Sequence, residues 1–151
     1  MGSKKVAGIL GGCIVPIIAV GAIATLNAIP LTDYATLLSY LRDSGASIVE
    51  EGAIQEPFFD IEGRRVTVNE STIEVYEYAD VGAMETEAGC VSPEGGSFRK
   101  GKGDTAQVCF VDWIATPHFC KAGRIIVFYC GDNDSIISLL ENALGKQFAG
   151  M

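Results

Sequence analysis

The sequence predicts an α+β fold: an N-terminal transmembrane helix followed by an antiparallel sheet domain with helices packed on it. Residues 6–26 contain no charged side chain, residues 65–78 alternate apolar and polar side chains in two short runs, and residues 33–42 show helical spacing of apolar residues. At 151 residues, the chain is long enough for one domain with a short appendage. We therefore divide it into residues 1–31 and residues 32–151, the latter called the outer domain.

The apolar segment is long enough to cross a bilayer, because its 21 residues span roughly 30 Å as a helix. Lys4 and Lys5 precede it and the first charge after it is Asp33. The positive-inside tendency then places the N-terminus in the cytoplasm and the outer domain outside the cytoplasm. A cleaved secretory signal ending near residues 22–24 and a lipoprotein modified at Cys13 are the alternatives. The stronger apolar run follows Cys13, where a mature lipoprotein should be polar, which disfavours the lipoprotein. An uncleaved single-pass anchor is the favoured prediction.

Small residues line one side of this segment. Gly8 and Gly12 form a Gly-xxx-Gly pair, which Ala19 and Ala22 extend at helical spacing, and Pro16 is expected to bend the helix. Such a face lets a second helix approach closely. The Gly8/Gly12 face therefore predicts contact with other membrane protein subunits as well as with lipid.

The outer domain begins with a helix over residues 33–42, capped by Thr32 or Asp33 and ended before Gly45. Its apolar positions follow the i, i+3, i+4, i+7 pattern: Tyr34, Leu37, Leu38 and Leu41.

Two extended stretches, residues 47–55 and 58–61, come next. The alternating runs at residues 65–69 and 72–78 predict a hairpin that turns at residues 70–71.

A weaker helix is expected over residues 79–91, followed by a loop over residues 92–107. A second hairpin is predicted between residues 108–116 and 124–130, around residues 121–123. The weaker helix has three apolar residues on one face: Val81, Met84 and Ala88.

The last helix is capped by Asp132 or Asp134 and ends at Gly145. Hairpins separated by helices, in the order α-β-β-β-α-β-β-α, predict an antiparallel sheet with the helices on one face. Four apolar residues of the last helix are expected to point inward: Ile136, Ile137, Leu140 and Leu144.

Charge excludes one class of partner. The outer domain contains 9 Lys and Arg residues against 19 Asp and Glu residues, a formal charge of −10. A surface this acidic repels phosphate backbones, so no nucleic acid is expected among the partners.

The cysteines of the outer domain allow two interpretations. An even number in an oxidising compartment predicts up to two disulfides in three pairings, whereas buried reduced cysteines would act as small apolar residues. A turn at residues 122–123 would pair Cys120 with Ile125, which makes a bond from Cys120 to Cys130 geometrically poor. Four cysteines lie in the outer domain: Cys90, Cys109, Cys120 and Cys130.

His118 and Cys120 share one face of a strand and are the best candidate pair of metal ligands. A structural zinc site needs four ligands, and the chain has one histidine and no Cys-x-x-Cys pair. We therefore expect His118 to lie near a strand end without a metal, and we predict no cofactor.

Residues 96–103 come close to a phosphate-binding loop, but Gly103 stands where the motif needs a hydroxyl, and a strand follows instead of a helix. We expect a solvated loop in which Arg99, Lys100 and Lys102 form a small basic patch for an acidic neighbour or lipid headgroups.

No combination of residues typical of a catalytic site is evident in the sequence. Only His118 could act as a histidine base, and no Gly-x-Ser-x-Gly motif is present. Glu50–Glu51 and the pair Asp132/Asp134 fit a solvated edge and a helix cap better than catalysis. We predict that the protein is not an enzyme. The aromatic residues are expected to pack in the core: Tyr76, Tyr78, Trp113, Phe119, Phe128 and Tyr129.

Several runs of the outer domain resemble a group of small, uncharacterised bacterial envelope proteins of the kind found in Chloroflexi-like genomes, which carry an N-terminal signal, lipoprotein or membrane segment. These runs are residues 75–80 (VYEYAD), 111–119 (VDWIATPHF), 123–131 (GRIIVFYCG) and 139–150. The resemblance implies a bacterial cell-envelope location and brings no activity and no functional residue.

The sequence thus predicts a membrane-anchored, extracytoplasmic accessory or interaction module, a non-catalytic subunit of a larger membrane protein complex. The alternative is a small-ligand- or metal-binding envelope domain that acts alone, with its site on the sheet face near His118 and Cys120.

Overall fold

The structure, a computed structural model, describes residues 30–151. It confirms an α+β domain with an antiparallel sheet and three helices. A 3₁₀ turn (Gly103–Thr105) separates the fourth and fifth strands. In chain order the elements are α1 (Tyr34–Asp43), β1 (Ile48–Ile54), β2 (Gly63–Val68), β3 (Ser71–Glu77), α2 (Val81–Ala88), β4 (Ser97–Lys100), β5 (Gln107–Phe110), β6 (Pro117–Ala122), β7 (Ile125–Cys130), α3 (Asp134–Leu144) and β8 (Ala149–Gly150).

Six strands form the main sheet in the order β1-β2-β3-β7-β6-β8, and every neighbouring pair is antiparallel. Strands β4 and β5 form a separate two-stranded hairpin. Strands β3, β7 and β6 lie in the middle of the sheet, and most of their residues are buried.

Helix α1 agrees with its prediction. Asp33 accepts a hydrogen bond from the Thr36 backbone, and the Thr36 hydroxyl accepts one from the Asp33 backbone, which together make a capping box. Gly45 follows the helix with a left-handed φ of +83°. The buried residues of the helix are the four that its spacing predicts: Tyr34, Leu37, Leu38 and Leu41.

The first hairpin turns one residue earlier than predicted. Asn69 and Glu70, not residues 70–71, form the turn, and both have positive φ (47° and 69°), as a two-residue hairpin turn requires. The Asn69 side chain also accepts a hydrogen bond from Ser47 N at 2.8 Å. This contact fixes the start of β1 beside the turn.

Residues 58–61 do not form the predicted strand. They make a turn that buries Phe58 and Phe59 against the sheet, where both rings contact Phe98. Apolar residues of a short run can be buried in a turn as well as in a strand, so the run alone does not specify a strand.

The predicted second hairpin was wrong about its first strand. Strand β7 pairs with β6, with Pro117 opposite Cys130 and Ala122 opposite Ile125, and not with residues 108–116. The expected loop at residues 92–107 instead contains β4 and the 3₁₀ turn, and β4 pairs with β5. Strand pairing joins residues that are distant in sequence, so the pattern within one run does not specify its partner strand.

The helices are not all on one face, contrary to expectation. Helices α1 and α3 pack on the face that carries Ile73 and Val127, whereas α2 packs on the opposite face with the β4–β5 hairpin. An apolar residue at every position of β7 already signals burial on both faces.

Helix boundaries differ in detail. Asn133, not Asp132 or Asp134, caps α3 by accepting from Ser135 N at 3.0 Å, and Gly145 ends the helix as predicted. In α3, Ile136, Leu140 and Leu144 are buried, whereas Ile137 is half-buried. In α2, Met84 and Ala88 are buried as expected, while Val81 is exposed and Glu87 is buried.

Within residues 30–151, no helix combines the length and the apolar character needed to cross a membrane. The predicted membrane span, with Gly8, Gly12 and Cys13, lies outside the described residues.

Candidate functional site

The four cysteines of the outer domain are free thiols in the structure. Cys120 lies opposite Val127, and Cys130 lies opposite Pro117, three residues along the ladder. The expectation that Cys120 and Cys130 do not pair therefore holds, although the turn lies at residues 123–124 and Cys120 does not face Ile125.

His118 is held by hydrogen bonds on both sides of its ring. Its Nδ1 lies 2.7 Å from Gln147 Oε1 and its Nε2 lies 3.1 Å from the Gly131 carbonyl oxygen. The ring stacks on Tyr129 at 5.8 Å. Cys120 is buried under α3 on the same face. Packing and these internal hydrogen bonds occupy the sheet face near His118. Among the described residues, no group of three or more His, Cys, Asp or Glu side chains is placed to hold a metal ion.

The buried thiol of Cys120 makes stability depend on pH. Burial, with a smaller effect of the Glu141 charge, raises the pKa of Cys120 from 9.0 to about 12. Above pH 9 the unfolded chain loses this proton while the folded chain keeps it, so the free energy of unfolding falls by at most about 1.4 kcal/mol per pH unit. Urea unfolding at pH 8.5–10 is expected to show a flatter pH dependence in Cys120→Ala. Equal slopes in the two proteins would contradict this assignment.

The basic residues of the β4 segment do not form one patch. Lys100 is turned inward and pairs with Asp60 Oδ1 at 2.6 Å and Glu87 Oε1 at 2.9 Å. Burial by itself would lower the pKa of Lys100, but these hydrogen bonds outweigh it and raise the pKa. Arg99 and Lys102 remain exposed.

An apolar strip on the β5 segment is the most exposed apolar feature of the described residues. Val108 and Phe110 are two residues apart on β5 and point away from the core, with Phe110 81% exposed. Ile114 follows at 100% exposure, while Val111 and Trp113 beside it pack inward against the core. We call Val108, Phe110 and Ile114 the hairpin strip. Exposed apolar residues grouped on one segment are typical of interaction surfaces.

A second feature is a cavity of about 270 Å³ on the sheet face opposite α1 and α3. It lies beyond the part of that face that α2 and the β4–β5 hairpin cover. We call it the strand cavity. Six residues line it: Glu51, Arg65, Thr72, Glu74, Phe128 and Cys130.

Strand pairing explains how these residues meet. Arg65 lies opposite Glu74, and Glu74 lies opposite Phe128, so the three make one row across β2, β3 and β7. Thr67 donates a hydrogen bond to Glu51, which holds that carboxylate at the rim. Two charged side chains and an aromatic ring thus stand side by side on the floor of the cavity.

Glu74 is the most deeply placed charge in the strand cavity. Its side chain is 11% exposed, and it accepts from Arg65 Nη2 at 3.1 Å and from the Tyr76 hydroxyl at 2.7 Å. Burial, followed by the hydrogen bond to Glu74, raises the pKa of Tyr76 well above its usual value, so the hydroxyl remains a donor. Burial and the Glu74 charge likewise raise the pKa of Glu56.

Neither feature is predicted by the sequence, in which Arg65 and Glu74 lie in the two alternating runs of the first hairpin. Glu74 stands between apolar neighbours on a strand that is buried on both faces, and this was the available clue. The core aromatic residues, in contrast, were predicted correctly. Tyr76, Tyr78, Phe119, Phe128 and Tyr129 are buried, and Trp113 is half-buried against them.

The described residues form a small α+β domain that carries the hairpin strip and the strand cavity. Comparison of the chain with protein-family models, with curated proteins and with solved structures found no match. The resemblance to bacterial envelope proteins therefore stays a prediction.

Proposed function

We propose that this chain is a membrane-anchored, extracytoplasmic interaction module, a non-catalytic subunit of a larger membrane protein complex. The exposed hairpin strip is the observation that carries the proposal, because among the described residues Phe110 is 81% exposed and Ile114 is 100% exposed. The charge-free segment at residues 6–26, preceded by Lys4 and Lys5, supplies the anchor.

The position of the strip points to a protein partner outside the bilayer. The described chain starts beside the β6–β7 turn, where Thr32 O accepts a hydrogen bond from Arg124 N at 2.9 Å. Ile114 lies two residues before Thr116, which accepts from Gly131 N at the other end of β7. The six residues of β7 separate these ends by about 20 Å. We therefore infer that an anchor at residues 6–26 would hold the turn end nearer to the membrane than Ile114.

Charge indicates the chemistry of the partner. Residues 97–114 carry three basic and two acidic side chains, a net charge of +1 in a domain of −10. Arg99 lies directly opposite Val108 in the hairpin. The surface that fits is an apolar groove with acidic residues at its rim, on a neighbouring subunit of the same membrane.

Replacing Phe110 and Ile114 together by aspartate is expected to release the chain from its complex, because two charges would have to be buried in the apolar groove. The measurement is native size after mild detergent extraction from the source membrane, with mass spectrometry of the comigrating proteins. Wild type is expected in a large particle with other subunits and the double variant as a free chain.

Val81→Asp is the matched control, since Val81 is exposed on α2 and lies outside the strip. It should leave the particle intact. A wild-type chain that migrates alone, or a double variant that stays in the large particle, would contradict the proposal.

The alternative of a domain that binds metal or a small ligand near His118 and Cys120 receives no support from the geometry. Both His118 ring nitrogens are already engaged, and Cys120 is buried beneath α3.

A further inference from the structure

We propose that the strand cavity binds a small zwitterion, specifically a free α-amino acid with a short side chain. This inference goes beyond the interaction function and does not depend on it, because the cavity and the hairpin strip are formed by different residues.

The first argument is the presence of an ion pair on the cavity floor. Arg65 and Glu74 are cross-strand partners in the sheet, and the Glu74 carboxylate is nearly buried. Removing such charges from water is unfavourable, and apolar residues of similar size usually stabilise a fold as well or better. Charged groups beneath an opening are typical of binding sites, where their cost is balanced by ligand contacts.

The second argument is the sign of the charges around the opening. Glu51 and Glu74 are negative and Arg65 is positive, so the lining presents both an ammonium-binding and a carboxylate-binding group. Arg65 uses Nη2 for Glu74, and its side chain is still 41% exposed, which leaves further donors for a ligand carboxylate. Glu51, at the exposed rim, accepts from Thr67 and retains acceptor positions for an ammonium group.

Size and the remaining lining limit the ligand further. A volume of about 270 Å³ is small for a ligand site. Phe128 offers an apolar contact and Thr72 a hydroxyl, so the two charged ends of the ligand need only a short apolar group between them. These features match a small amino acid better than a separate anion or a separate amine.

The chain contains its own reporter for this site. Trp113 is the only tryptophan, and its ring lies 4.7 Å from the Phe128 ring on the cavity floor. Binding of a ligand against Phe128 is therefore expected to change the tryptophan emission.

The experiment is equilibrium dialysis of the full chain, in detergent, against radiolabelled L-alanine, with tryptophan emission followed in parallel. We expect saturable binding of one molecule per chain. Acetate and methylamine, each with only one of the two charges, should compete at least about tenfold more weakly. Glu51→Gln should weaken L-alanine binding about tenfold, because it removes the ammonium partner from an exposed position that the fold does not require.

Glu70→Gln makes the same substitution in the exposed β2–β3 turn, outside the cavity, and should bind like wild type. Lack of saturable binding up to about 10 mM, equal binding by Glu51→Gln, or equal competition by methylamine would each overturn the proposal. The Phe110/Ile114 double variant should keep full L-alanine binding, so failure of one proposal is distinguishable from failure of the other.

Discussion

Replacing Phe119 with alanine is expected to lower the free energy of unfolding by about 3–5 kcal/mol. Phe119 is fully buried at the centre of the aromatic core, where its ring stacks on Phe128 at 4.7 Å and contacts Phe98 at 5.9 Å and Trp113 at 6.2 Å. Alanine would leave a cavity that these rings, held by three separate parts of the chain, cannot all move to fill. Urea unfolding followed by circular dichroism measures the loss.

Phe110→Ala is the matched control for this substitution. It removes the same ring from a position that is 81% exposed, and its free energy of unfolding should stay within about 0.5 kcal/mol of wild type. Similar losses for the two variants would contradict the placement of Phe119 at the centre of the aromatic core.

Replacing Gly123 with alanine is expected to destabilise the domain by about 2–4 kcal/mol. Gly123 has a left-handed φ of +52° in the β6–β7 turn, and an added Cβ would overlap the backbone of Thr32. The hydrogen bond from Arg124 N to Thr32 O at 2.9 Å depends on this close approach. Thermal unfolding of the variant, compared with wild type, measures the loss.

Gly45→Ala separates the cost of the left-handed φ from the cost of the overlap with Thr32. Gly45 has a φ of +83° but nothing within 4 Å of the added Cβ, so only the left-handed conformation costs energy, about 1–2 kcal/mol. Gly123→Ala should therefore be the more destabilised of the two. Equal losses would mean that the segment at Thr32 does not pack tightly against the turn.

Local features of the fold could be predicted well. The apolar face of α1, its cap at Asp33, the stop at Gly45 and the end of α3 at Gly145 all follow from contacts made within a few residues. Helical spacing and capping are short-range, and no distant part of the chain is needed to specify them.

Strand partners were less predictable. The run at residues 108–116 is the more apolar of the two candidates, yet the run at residues 117–122 is the one that pairs with β7. Part of the first run lies in β5, which pairs instead with β4. Strand β4 falls within residues 92–107, for which the sequence predicts a loop. Antiparallel pairing can join residues that are far apart in sequence. The alternation of apolar and polar residues specifies which face of a strand is buried, but it does not specify the partner strand.

The two candidate surfaces depend entirely on tertiary structure. Phe110 and Ile114 have the apolar character of core residues in the sequence. They are exposed because Val111 and Trp113, which lie between them, take the inward positions. Arg65, Glu74 and Phe128 form a row only because β3 lies between β2 and β7.

Composition and short-range spacing are therefore sufficient to predict the α+β class, the three helices, the cap of α1, the acidic surface and the aromatic core. Tertiary packing is what distributes the helices over both sheet faces, encloses His118 and Cys120, and leaves the hairpin strip and the strand cavity open. Burial is a property of the assembled layers, and a residue is exposed or enclosed according to which distant element packs over it.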